Sequence, residues 1–295
     1  MRKDRIDATG ALTLVVFSFL MGLNQVLIKL ANAGFSPAFQ AGLRSACAFL
    51  PVLLFAWFMR RRLSVRDGSF WPGIMAGLFF ASEFLLLFSA LEYTTVNRAS
   101  VFFYTMPVWV AVAAHFLIPG ERLTPRRVAG LVLAVAGVAL ALMARAPQAG
   151  PDAMIGDLMC LAGAVLWAGI ALTARLTAFS RAEPEMQLLY QLAVSAVVLL
   201  AVAPAFGPLI REVTPSIIGI FSFQVLVVVA FGFAVWFTLL RIYPASDMTA
   251  FSFLAPVFGV LCAWLILDEA LTPQVVGALA LVALGIVFVS WKPKT

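Results

Sequence analysis

The sequence predicts an all-α integral membrane protein with ten transmembrane helices, arranged as two inverted five-helix repeats. Three observations lead there. First, the 295 residues are 63% hydrophobic and 12% charged, with mean hydropathy +1.03. A soluble domain is about 45–50% apolar and about 25% charged, so a surface this apolar is covered only in lipid. Second, apolar runs of about 20 residues, the length of a bilayer crossing, recur along the whole chain. Third, the stretch from Phe103 to Gly137, FYTMPVWVAVAAHFLIPGERLTPRRVAGLVLAVAG, returns from Phe253 to Gly285 as FLAPVFGVLCAWLILDEALTPQVVGALALVALG. Pro107 matches Pro256 at an offset of 149. Glu121-x-Leu123-Thr124-Pro125 matches Glu269-x-Leu271-Thr272-Pro273 at 148, as do Gly137 and Gly285. A repeat over half the chain marks a duplicated unit, and a loop or helix end absorbs the single slipped residue.

Taken in order, the predicted spans are 10–31, 37–59, 70–91, 96–118, 126–145, 154–177, 185–204, 215–239, 247–267 and 273–291. The start MRKDRID has the charge of a signal peptide. The apolar run then continues through Gly22 to Leu30 without a small-residue cleavage site, so it reads as the first span. Pro37, Pro72, Pro125, Pro184, Pro215 and Pro273 fall at or near span starts, where a missing amide costs least. Short loops make neighbouring helices antiparallel. The repeats divide as 1–147 (spans one to five) and 153–295 (spans six to ten).

Charge sets the orientation. With both termini in the cytoplasm, fifteen Lys and Arg residues lie inside and three (Arg98, Arg145, Arg211) outside, while Lys29 and Arg44 lie within spans. The inside set includes Arg2, Lys3, Arg5, Lys292 and Lys294. The same rule accounts for the net charge of +6 and pI near 9.7 without nucleic acid as a partner. Cys47, Cys160 and Cys262 are odd in number and isolated in apolar runs, which argues against a disulfide framework or a metal cluster. Five spans per repeat is an odd number, so the second copy crosses the membrane in the opposite sense. The first halves of the copies agree faintly: Gly10-x-Leu12 with Gly156-x-Leu158, Lys29 with Arg175, and Gln40 with Gln187, at offsets of 146 to 147. An inverted repeat supplies two alternative packings around a midplane site, the usual plan of secondary transporters.

Several features together resemble the drug/metabolite transporter superfamily in its EamA-type branch of bacterial metabolite exporters. These are Gly22-x-Asn24-x4-Lys29, Ala90-Leu91-x-Tyr93-Thr94, the Pro107 helix, Gly120-Glu121-x-Leu123, and in the second copy Pro256 and Asp268-Glu269. The similarity covers nearly the whole chain. Met21 stands where the family often has Trp, with Trp167 at the aligned place in copy two, and Asp268 replaces the glycine of the Gly-Glu pair. The resemblance implies ten helices in the bacterial inner membrane, a central cavity, and efflux of small metabolites such as amino acids, aromatic or other neutral ones included.

Ionisable groups within spans are costly and face a cavity or a partner. Glu83 lies beyond the middle of its span. It reads as a proton-titrating carboxylate, as a ligand for a substrate ammonium, or as a structural partner of Arg44 or Lys29. Arg44, on the face of Gln40 and Cys47, would clamp a substrate carboxylate or pair with Glu83. Lys29 ends the first span, on the face of Gln25, where snorkelling to the interface is the simpler reading. Asn97, Tyr104 and His115 share a helical angle, a candidate polar stripe. Trp167, Gln187, Gln191, Tyr190 and Trp236 are further cavity candidates. Trp57, Trp71 and Trp291 read as interface-belt residues. Pro107 and Pro256, inside corresponding spans, are candidate hinges, because each frees a carbonyl four residues earlier (Phe103 and Ser252). Glu121 and Glu269 stand just before spans five and ten, where the positive end of the following helix favours a carboxylate.

The leading expectation is a secondary exporter of small polar metabolites working by alternating access. Two other classes fit the residues less well. An intramembrane enzyme lacks support: there is no Ser/His/Asp set, no paired carboxylates on one span, no metal-ligand spacing and no phosphate-cradling loop. A structural or lipid-handling protein without flux sits badly with the inverted duplication. No cofactor and no metal are expected. The expected partners are a small-molecule substrate and the lipid bilayer. Proton coupling, passive efflux and oligomeric state are all left open by the sequence.

Overall fold

The structure is a computed structural model. It describes residues 6–143, 150–243, 248, 251 and 254–290. Trp291, Ser252, Arg145 and the terminal basic residues Arg2, Lys3, Arg5, Lys292 and Lys294 lie outside the described residues.

The chain folds into α1 (Ala8–Ala31), α2 (Pro37–Phe58), α3 (Phe70–Tyr93), α4 (Val96–Phe103), α5 (Met106–Leu117), α6 (Pro125–Met143), α7 (Ala153–Leu176), α8 (Pro184–Val202), α9 (Pro215–Phe223), a π-helical stretch (Gln224–Phe231), α10 (Gly232–Ile242), α11 (Leu254–Leu267) and α12 (Pro273–Ser290). Among the described residues, eight stretches are long and apolar enough to cross a membrane, α4 with α5 and α9 through α10 each making one. α11 and α12 are shorter apolar helices.

Local chemistry explains the ends. Pro37, Pro125, Pro184, Pro215 and Pro273 open their helices, where no intrahelical amide is needed. Asp7 caps α1 by accepting the Gly10 amide at 2.9 Å, and Thr95 caps α4. Two expected spans are not continuous α-helix. The fourth breaks at Tyr104–Thr105, because Pro107 donates no amide and the Thr105 hydroxyl takes the Phe102 carbonyl at 2.6 Å. Pro107 is therefore the second residue of α5, not a kink inside one helix. Pro256 is the third described residue of α11. The eighth runs to Ile242 and contains the π-helical stretch at its middle.

α6 packs on α12, α3 on α7 and α8, α2 on α8, and α1 on α11. The α6–α12 crossing is close because it is built from glycine. A Cβ on Gly130 would lie 2.7 Å from the Gly285 carbonyl, and one on Gly285 would lie 2.6 Å from that of Gly130. The main core joins Val26, Phe88, Phe102, Cys160 and Val282 from five helices. The outer surface is apolar: Phe116, Val132, Val135 and Leu265 are all exposed, as a lipid-facing wall requires. Trp57 and Trp71, expected in the interface belt, are exposed at the ends of α2 and α3.

The turns fall at two opposite ends. Lys29, Asn32, Thr94, Arg98, Asp157, Arg211 and Glu269 meet at one, here the Thr94 end. The α4–α5 unit and α7 lead from there to the other, the Glu121 end, where Arg175 meets Glu121.

Candidate functional site

A cavity of about 730 Å³ lies between α1, α3, α5, α7 and α10. Its lining runs from Ile28 and Phe88, in the last turns of α1 and α3, to Glu121, Arg127 and Arg175. Among the described residues, none of the lining comes from the turns of the Thr94 end. The cavity therefore reaches one end of the molecule and stops short of the other.

Arg44 and Glu83 sit at its floor and are 3% and 2% exposed. They do not clasp each other. The Arg44 guanidinium lies over the rings of Phe84 and Phe88, 4.5 and 4.7 Å from the centroids, with Nη1 3.4 Å from Asn24 Oδ1. Stacking on two aromatic faces holds a cation in a dry setting while leaving its N–H edge available. Glu83 Oε2 has no hydrogen-bond partner. A buried carboxylate oxygen without a donor costs free energy, and a ligand donor removes that cost.

The other candidates divide. Gln25, Tyr104, Trp167, Trp236 and Pro107 line the cavity. Gln25 already accepts from Ser100 Oγ at 2.6 Å. Asn97, expected there from helical angle, and Gln187 and Gln191, expected as cavity contributors, do not line it. Asn97 lies at the Thr94 end and donates to the Ala270 carbonyl at 3.3 Å. Gln187 donates to the carbonyls of Phe179 and Ala182 at 3.2 and 3.0 Å, and Gln191 to that of Gln187 at 3.2 Å. Tyr190 also points elsewhere, against Gly73 of α3. The angle argument assumed one straight helix, and the break at Tyr104–Thr105 takes Asn97 and His115 out of register. His115 accepts the Leu123 amide at 3.2 Å in the turn beyond α5. Pro256 lies beside the lining residue Ala255.

The Thr94 end is sealed by buried polar groups that sequence reasoning had not joined. Arg98 Nε donates to both oxygens of Asp157, at 3.2 and 3.1 Å, and its Nη1 donates to the Ala141 carbonyl at 2.7 Å. Thr94 Oγ1 donates to Asp157 Oδ1 at 2.7 Å. Glu269 accepts the amides of Val96 at 2.8 Å and Asn97 at 2.9 Å. Lys29 donates to the Thr94 carbonyl at 2.7 Å and lies 3.6 Å from Glu269, so it is tied down rather than snorkelling. Asp157, an acid within the first two turns of an apolar helix, was the available signal. Glu269 does meet a helix N-terminus, but that of α4 and not of the helix that follows it. Glu121 instead pairs with Arg175.

A polar-floored cavity sunk among membrane-length apolar helices, reaching one end and shut at the other, is the architecture of a multi-pass membrane transporter. The chain matches the sequence profile of the EamA-like transporter family over residues 8–143 and again over 154–291, and it belongs to that family. It is similar to the probable amino-acid metabolite efflux pump of Escherichia coli (strain K12), 30% identical over 278 residues, covering 91% of this chain and 89% of that protein. Against the aromatic amino acid exporter YddG of Ancylobacter novellus it is 34% identical over 120 residues, 39% of this chain and 40% of that one. A solved crystal structure that is 23% identical, with TM-score 0.67 over 96% of both chains, shares the fold.

Proposed function

We propose that this protein is a secondary exporter of amino acids, built as ten spans in two inverted five-helix units (1–147 and 153–295) with both termini in the cytoplasm. The observation that carries the proposal is the cavity floor. Arg44 offers N–H donors to a carboxylate, and the unpartnered oxygen of Glu83 offers an acceptor to an ammonium group. Phe80, Phe84, Phe103, Tyr104 and Trp167 surround them and suit an apolar side chain. The names of the relatives support the class of cargo. The family profile matching twice supports the two units, and a cavity reaching only one end supports alternating access. Pro107 and Pro256, both beside the cavity, are the proposed flexing points.

The test is flux of a panel of radiolabelled amino acids in proteoliposomes, with and without a pH gradient. Arg44→Leu and Glu83→Leu are each expected to weaken transport of the preferred amino acid by about 2–5 kcal/mol, the cost of removing one of two direct charged contacts. Wild-type flux in the double variant would take both residues out of the substrate site.

A further inference from the structure

Two ion pairs stand at equivalent places in the repeats and at opposite ends of the molecule. Lys29 and Arg175 are 146 residues apart, Glu121 and Glu269 are 148 apart, and the pairs cross between repeats: Lys29 with Glu269, Arg175 with Glu121. The residues before the two glutamates, Gly120 and Asp268, share a left-handed backbone, with φ of 88° and 53°. The turns share the positive φ but not the hydrogen bond: the Glu121 amide donates to the Ile118 carbonyl at 3.1 Å, the Glu269 amide to that of Ala263 at 3.2 Å.

Their surroundings differ. The Glu269 side chain is 4% exposed, docked on two amides at the start of α4 and flanked by Lys29. A carboxylate there meets the positive end of the helix and satisfies two amides that have no intrahelical partner. The Glu121 side chain is 32% exposed, and both it and Arg175 line the cavity. The docked pair is at the closed end, the undocked pair at the end the cavity reaches.

We propose that these four side chains are the positioning residues of the transport cycle. Glu269 with Lys29 holds the Thr94 end shut by docking on α4. Glu121 with Arg175 is the same latch released, and it docks when the Glu121 end closes and the Thr94 end opens. One latch is engaged at a time, which excludes a channel open at both ends. This deepens the alternating-access reading and rests on it.

The test uses purified full-length protein in detergent, with Cys47, Cys160 and Cys262 replaced by alanine and a single reporter cysteine at Ala31→Cys or Ala171→Cys. Ala31 is buried at the Thr94 end, and Ala171 lines the cavity. Glu269→Gln is expected to raise the rate of thiol modification at the first reporter by about tenfold, the worth of one charge-assisted contact, and to lower it at the second. Adding Glu121→Gln is expected to return both rates toward those of the parent, because it weakens the opposing latch. Lys29→Gln, which leaves the α4 amides capped, is read in the same way should Glu269→Gln fold poorly. An unchanged rate at the first reporter, or a shift that persists in the double variant, overturns the proposal and leaves Glu269 as a helix cap alone. The thiol readout needs no substrate. A chain that shows these shifts yet moves no amino acid would fail the cargo assignment and keep the latch.

Discussion

Glu121 and Glu269 each open a Glu-x-Leu-Thr-Pro stretch and have opposite fates in the fold. One sits in a half-open turn at a cavity mouth; the other is buried on the amides of α4. The helices around them follow suit. α3 packs tightly along α7, and a Cβ on Gly156 would lie 2.8 Å from the Ala90 carbonyl. The pair that corresponds to it under the proposed repeats, α1 against the α9–α10 unit, packs far more loosely and borders the cavity. Similar turn sequences thus stand in unlike environments at the two ends. Under the proposed alternating access, a chain able to settle either half into either packing would have two states of similar energy.

The largest expected effect sharpens the contrast between the ends. Arg98→Leu leaves Asp157 buried without its guanidinium, and about 3–5 kcal/mol of stability should be lost. Arg175→Leu at the Glu121 end breaks an exposed pair and should cost about 0–1 kcal/mol. Thermal unfolding in detergent measures both. Equal losses would mean that the ends are not differently sealed. Next comes Gly285→Leu, which forces the α6–α12 crossing apart. It should cost about 1–3 kcal/mol, as overpacking does. Under the proposed two-repeat plan α6 and α12 are counterparts, so it should lower yield without favouring either end in a thiol-accessibility assay.

The sequence made the membrane class and the long apolar helices legible, because hydropathy and proline at helix starts are local signals. It also pointed to Arg44, Glu83, Tyr104 and Trp167, since polar and aromatic groups in apolar runs stand out. It misplaced Asn97, Gln187 and Gln191. A polar side chain in a span can bond a nearby carbonyl, as Gln187 does with Phe179, and then contributes nothing to a cavity. The docking of Glu269 on Val96, 173 residues away, depends on tertiary packing that no window of sequence contains.

The smallest expected effect concerns the turns themselves. Gly120 takes its left-handed backbone at no steric cost, whereas Asp268 holds the same conformation with a side chain. Asp268→Gly should change stability by less than about 1 kcal/mol and leave both latches formed. Gly120→Val, with a β-branched side chain at positive φ, should lose more. A chemical denaturation series on the two variants orders them.

The most direct test of alternating access is a pair of distance measurements between spin labels. One pair, at Tyr93 and Ile210, spans the Thr94 end; the other, at Arg122 and Arg181, spans the Glu121 end. All four positions are exposed. With the amino acid identified by flux present, a second population is predicted in which the Tyr93–Ile210 distance lengthens and the Arg122–Arg181 distance shortens. Distances that stay fixed at both ends, or that lengthen together, would contradict a carrier that opens one end at a time.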